Sequence, residues 1–294
     1  MSNHIRKPAV AGRFYEAVGQ RCRADAERMS VGPASDEPAL PQTLVGALVP
    51  HAGWICSGRV AGLTFRALQS RTQARTFILT GSVHTMAIPG PTLDSAEAWA
   101  TPLGEAPVDI ALRDALAELD DVTALDMAHQ YEHSLEVQLP LMQVVFGEDI
   151  QIVPCLIPPD DRAPQWGQAI GRLLKDWPEP VIMIASSDLT HYGPNYSFTP
   201  HGVGGAGYRW AHDINDRQLL DKIEQMNAEA IVPETRTAHS ACGGGAIAAT
   251  ITACTEQGAG RGYLLEHTDS TRELAEHGYR DESNSVGYAA VVFG

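Results

Sequence analysis

Five short runs of almost unbroken apolar residues limit the folds open to this chain: Leu44–Val49, Arg75–Thr80, Ile150–Leu156, Val181–Ala185 and Val286–Phe293. A run apolar at nearly every position suits a strand covered on both faces, as the central strands of layered sheets are. Amphipathic stretches separate the runs: Gly58–Ser70, Val108–Leu119, His133–Phe146, Ala163–Asp176, Trp210–Gln225 and Gly243–Gln257. In His133–Phe146 the residues Leu135, Leu139, Met142 and Phe146 form a helical stripe, which Pro140 is expected to kink. A helix over about Val18–Met29 precedes a proline-rich surface loop over Gly32–Gln42. The alternation predicts an α/β fold, a three-layer α/β/α sandwich around a mixed, mostly parallel sheet, in one domain over residues 1–294.

Composition excludes several classes of function. With 36 acidic against 21 basic residues the formal charge is -15. A phosphate backbone or an anionic membrane wants a basic face, so neither nucleic acid nor membrane is expected as a partner. No stretch approaches the roughly 20 apolar residues of a transmembrane helix. Met1–Pro8 lacks the apolar core of a secretory signal. The five cysteines are spread along the chain without a CxxC pair, which points away from a disulfide framework and towards reduced thiols in the cytoplasm.

Ligands of layered α/β sheets gather beyond the carboxyl ends of strands. Three of the five runs lead into a histidine there: Pro50-His51-Ala52-Gly53-Trp54, Gly81-Ser82-Val83-His84, and Ser186-Ser187-Asp188-Leu189-Thr190-His191-Tyr192. One loop histidine is commonplace. Three at one predicted sheet edge suggest a site, and imidazole is the commonest nitrogen ligand for zinc, iron and copper. His239-Ser240-Ala241-Cys242-Gly243-Gly244-Gly245 opens an apolar helical stretch. A cysteine at a helix start favours the thiolate, the metal-binding and nucleophilic form. The alternative is a buried packing cysteine, the reading given to Cys22, Cys56, Cys155 and Cys254. In His129-Gln130-Tyr131-Glu132-His133-Ser134-Leu135-Glu136 the buried stripe leaves Glu132 and His133 able to face the strand edge, with Glu136 expected in solvent. HExxH, P-loop and GxSxG motifs do not occur.

These residues resemble the Memo family, called AmmeMemoRadiSam system protein B in bacteria and archaea. The matching pieces are Arg6–Tyr15, Val49–Trp54, Gly81–His84, Glu132–Pro140, Ser186–Gly193, Cys242–Gly244 and Ser285–Ala289, in the family's order and across nearly the whole chain. That family is similar in fold to the LigB-type class III extradiol dioxygenases. The resemblance implies one divalent metal held by His51, His84 and Cys242, Fe(II) foremost. Cys242 stands where the dioxygenases keep a glutamate, and a softer thiolate also suits copper or zinc. It further implies His191 as general acid/base, with Asp188 orienting it or binding a ligand, and His133 nearby. Trp54, Glu132, Tyr192 and His239 are expected around the substrate. A functional link to a radical-SAM enzyme and an Amme-type protein is also implied.

Three functions compete. The first is a metal-dependent oxidoreductase, dioxygenase-like, acting on a small aromatic or oxygen-rich molecule. The second is a non-catalytic metal- or peptide-binding signalling adaptor. The third is a Cys–His hydrolase with Cys242 as nucleophile and His191 or His239 as base. His4, His129, His201, His212, His267 and His277 are expected to be ordinary surface or loop residues.

Overall fold

The computed structural model describes residues 4–30 and 40–294, so the expected loop over Gly32–Gln42 lies, through residue 39, outside the described residues. The strands are β1 (Ile5–Arg6), β2 (Gly46–Val49), β3 (Thr76–Gly81), β4 (Thr92–Leu93), β5 (Ala98–Thr101), β6 (Gly104–Pro107), β7 (Thr123–Ala124), β8 (Gln151–Leu156), β9 (Val181–Ser186), β10 (His191–Tyr192), β11 (Gly262–Asp269) and β12 (Ser285–Phe293). The α-helices are α1 (Gly19–Met29), α2 (Trp54–Gln69), α3 (Ile110–Ala117), α4 (Asp126–His129), α5 (Leu139–Phe146), α6 (Ala163–Lys175), α7 (Gly205–Trp210), α8 (Arg217–Glu224), α9 (Ala228–Ala238), α10 (Gly244–Glu256) and α11 (Ser270–Ala275).

Among the described residues the main sheet runs β10-β12-β2-β9-β3-β8-β4-β7, with β11 beside β12. Its centre, β2-β9-β3-β8, is parallel, while β12 joins β2 antiparallel and β4 joins β8 antiparallel. The sheet is therefore mixed with a parallel heart. Side chains alternate across it. Ala47, Val49, Phe77, Leu79, Ile182 and Ile184 face one layer with residues of α1, α2 and α5. Leu48, Ile78, Met183, Ala185 and Val153 face the other, with residues of α3, α6, α8, α9 and α10. This is the three-layer sandwich expected, and both faces explain why the runs are apolar throughout. Each large aliphatic side chain so buried contributes roughly 1.5–3 kcal/mol.

Several local expectations are corrected. His133–Phe146 is not one helix: Glu136–Gln138 is a 3₁₀ turn and α5 begins at Leu139. Pro140 sits in the first turn, where its missing N–H has no intrahelical partner to lose, so it starts the helix instead of kinking it. The stretch Trp210–Gln225 divides into the end of α7, a π-helical segment Ala211–Asp216, and α8. Glu136 is not solvated. It is fully buried, paired with Arg6 at 2.5 Å, and accepts hydrogen bonds from Ala9 N, Val10 N and Tyr15 Oη. The N-terminal strand β1 supplies that arginine by pairing with β5 in a separate three-stranded sheet.

Candidate metal centre

The register of the central strands sets the height of the site. Val49 of β2 pairs with Ser186 of β9, and Ser186 pairs with Gly81 of β3, so three strands end level. His51, His84 and Asp188 leave those ends within three residues. Cys242 arrives from the far side, just before α10, its N–H donating to Asp188 O at 3.3 Å. Gly243 permits this approach: a Cβ there would lie 2.6 Å from both Ser187 Cβ and Ser82 Oγ.

The ligand atoms of His51, His84 and Cys242 all lie within 4.8 Å of one another. His51 is 1% exposed; its Nε2 is 3.3 Å from Cys242 Sγ and its Nδ1 3.1 Å from Ser186 Oγ. The buried Glu132 turns both oxygens to His84, with Oε1 at 2.9 Å from Nδ1 and Oε2 accepting from the backbone N at 2.7 Å. Both imidazoles thus have their Nδ1 engaged away from the thiol, which fixes their orientation as carriers of a metal ligand. His133 stacks on His84 with centroids 4.7 Å apart, and Phe14 packs tilted against His133 with centroids 4.8 Å apart.

The electrostatics fit a cation. Burial alone would raise the Cys242 thiol, but the charge of His51 and hydrogen bonds from His51 and His84 outweigh it and hold the pKa well below that of an ordinary thiol. Burial opposes protonation of His84, yet the contacts with Cys242 and Glu132 prevail and push it up to about 10. The same contact, overcoming burial, takes Glu132 down to about 2. Burial, with repulsion from His51 and His84, drops His133 to about 4. Two imidazole nitrogens and a thiolate, with both rings oriented from behind, form a donor set suited to zinc, copper or Fe(II).

A cavity of about 470 Å³ opens over these groups, and His51, His84, His133, Asp188 and His191 line it. His191 directs Nδ1 to Leu189 O at 3.1 Å and sets its ring edge-on to Tyr196. Asp188 is buried, accepts from His51 N at 2.7 Å, and lies 4.0 Å from His51 Nε2.

Not every expected residue comes to this cavity. Trp54 donates from Nε1 to Val137 O and faces a neighbouring cavity of about 560 Å³. Tyr192 is fully buried and donates to Gly202 O at 2.8 Å. His239 is exposed at the left-handed end of α9, against Phe198. The imidazoles beside Cys242 are those of His51 and His84, not that of His239. Glu132 reaches His84 instead of the open cavity. Three histidines expected to be ordinary are also not so: His129 is fully buried, and His212 and His267 stack on each other with centroids 4.1 Å apart. Sequence reasoning missed Ser186, Phe14, Tyr196 and Tyr288 as neighbours of the site. Phe14, Ser186 and Tyr288 lie inside the family-like pieces quoted above, which was the available signal.

A family model described as "Memo-like protein" matches residues 6–292. A MEMO1 family protein from Methanopyrus kandleri is 34% identical over 301 residues, covering 98% of each chain. One from Methanosarcina acetivorans is 34% identical over 292 residues, again 98% of each chain. In fold, the chain is similar to the crystal structure of an uncharacterized protein from Escherichia coli K12, with a TM-score of 0.55 and 15% identity, over 85% of this chain and 100% of that one. The match to the family model and the full-length relatives establish that this chain belongs to the Memo family.

Proposed function

We propose that this chain is a metal-dependent oxidoreductase, a non-haem Fe(II), dioxygenase-like enzyme acting on a small aromatic or oxygen-rich substrate. One observation carries the reading: His51, His84 and Cys242 converge beneath a cavity that also holds His133, Asp188 and His191. A metal held by the three would supply Lewis acidity, and Fe(II) in addition the one-electron chemistry that dioxygen requires. The chain's own groups divide the remaining work. Glu132 and Ser186 orient the two imidazoles. His133, whose pKa is lowered to about 4, is neutral near pH 7 and offers a ring nitrogen that can accept a hydrogen bond from a substrate hydroxyl. His191, anchored through Nδ1, has Nε2 left to move a proton at the cavity wall. Copper and zinc are the alternatives that the thiolate favours.

The test is metal analysis of protein purified without chelator, then anaerobic Fe(II) loading and oxygen uptake against a catechol panel. Stoichiometric metal that is lost in His51→Ala and Cys242→Ala, with substrate-dependent oxygen uptake, is the expected result. Metal bound without oxygen uptake would reject the oxidoreductase reading, and no metal would reject the site.

A second reading rests on the 3.3 Å contact between Cys242 Sγ and His51 Nε2. That pair has the elements of a thiol nucleophile and its base. Ester hydrolysis by metal-free protein, abolished by alkylating Cys242, would favour it over the first.

A further inference from the structure

The turn that precedes α5 reaches both imidazoles beside Cys242. Glu132 holds His84 directly. Farther along, Gln138 ends the 3₁₀ turn and is 1% exposed. Its Nε2 donates to Pro50 O at 2.8 Å and to Ser186 Oγ at 3.1 Å. Pro50 O can only accept, so the nitrogen of the amide and not its oxygen must face it. Oε1 has no hydrogen-bond partner among the described residues. The side chain is thus turned to deliver its N–H groups, at the expense of its oxygen.

The protons around Ser186 give each bond a direction. Its buried hydroxyl has one proton and two lone pairs. Three polar neighbours surround the oxygen: Ser134 O at 2.6 Å, Gln138 Nε2 at 3.1 Å and His51 Nδ1 at 3.1 Å. Ser134 O only accepts, and the amide nitrogen only donates. The serine proton therefore goes to Ser134 O, and the amide takes one lone pair. The lone pair that is left faces His51 Nδ1, which must carry a hydrogen. The reverse arrangement sets Ser134 O against a serine lone pair and leaves a buried carbonyl unpaired, which is costly.

The hydrogen bond made by one ring nitrogen decides the tautomer, and so which nitrogen is open to a metal. A neutral His51 with its hydrogen on Nδ1 has its lone pair on Nε2, the atom 3.3 Å from Cys242 Sγ. Gln138 contributes twice. One N–H closes the third direction around Ser186 Oγ and keeps the hydroxyl from rotating. The other fixes the carbonyl of Pro50, the residue before His51.

We propose that Gln138 is a positioning residue of the metal centre: by way of Ser186 it holds His51 as the tautomer whose Nε2 lone pair is open to a ligand bond. The proposal rests on the reading of His51 as a metal ligand.

Nuclear magnetic resonance of the full chain labelled with ¹⁵N-histidine tests it, with the His51 signals assigned by their absence in His51→Ala. In metal-free and Zn²⁺-loaded protein alike, His51 Nδ1 should carry a slowly exchanging proton. Gln138→Met should speed that exchange at least tenfold and lower Zn²⁺ affinity roughly 10-fold. Gln138→Asn keeps an amide but draws it back by one methylene, and should show the same losses with less change in packing. Ser186→Ala should weaken Zn²⁺ binding too, and the double variant with Gln138→Met should lose no more than Ser186→Ala alone, because both act along one path. Unchanged exchange of the His51 proton in both Gln138 variants overturns the proposal. So does a double variant whose loss of affinity is the product of the two single losses. A full chain that binds no Zn²⁺ rejects the metal centre itself, while exchange in metal-free protein still decides whether Gln138 holds His51.

Discussion

Both oxygens of Glu132 are committed to His84, one to the ring and one to the backbone N–H. The carboxylate therefore holds the imidazole by its position and its rotation together. Glu132→Gln should weaken metal binding by roughly 10- to 100-fold, the usual consequence of losing a partner behind a metal ligand. Competition with a chromogenic chelator measures it, and unchanged affinity would leave Glu132 without this role.

The same carboxylate sets an acid limit on the metal-free protein. Its pKa falls from 4.5 in the ordinary state to about 2 on folding. A depressed carboxylate contributes stability above its unfolded pKa and loses it as pH falls towards the folded value. Stability should therefore decline from about pH 4.5 to pH 2, and Glu132→Gln should flatten that part of the profile. Urea midpoints across this range provide the check.

Arg6 and Glu136 form a buried pair that ties the N-terminal strand to the turn carrying Glu132. Arg6 also donates to Glu132 O at 2.7 Å and twice to His129 O. Arg6→Met leaves Glu136 charged and buried with its ionic partner gone, which costs about 3–5 kcal/mol. The loss should appear in equilibrium denaturation, and metal affinity should fall with it because Glu132 loses its anchor.

Thiol reactivity should separate one cysteine from four. Burial pushes Cys22 and Cys155 up to about 12 and raises Cys56 and Cys254, whereas Cys242 is held low. Metal-free protein at pH 7 should consume one equivalent of iodoacetamide rapidly. Peptide mapping should place it on Cys242, and prior loading with Zn²⁺ should slow it at least tenfold. Rapid labelling of a second cysteine would contradict the burial argument.

Gly243→Ala should displace Cys242, because the added methyl meets Ser187 and Ser82 at distances no side chain tolerates. Overpacking of this kind costs about 1–3 kcal/mol. The more telling readout is a drop in metal affinity larger than that of an alanine placed at Gly260, where a Cβ meets open space.

All five apolar runs became strands of the main sheet, because burial on both faces writes itself into every residue of a strand. The edge elements were harder to read. Strand β11 has Glu266 and His267 in its middle and packs less completely, so its composition resembles a loop. The candidate ligands were legible in part: His51 and His84 stood out as strand-end histidines and Cys242 as a helix-start cysteine, but their choice as a trio came from the family resemblance. Glu136, His129, His212 and His267 were misjudged because their partners are distant in sequence: Glu136 meets Arg6 across 130 positions. Local pattern cannot distinguish a polar residue in water from one buried against a remote charge. Trp54 was expected at the cavity, but the first turn of α2 directs its indole N–H to Val137 O.

The level ends of β2, β9 and β3 have a consequence for how the protein is made. Cys242 and His51 are 191 positions apart, and the donors converge only when three strands share one register. A slip of one residue would reverse the faces of a strand and send its histidine elsewhere. No fragment of the chain can assemble the trio early, during synthesis or refolding. A metal captured by the three would therefore report that the sheet has zipped in the right register.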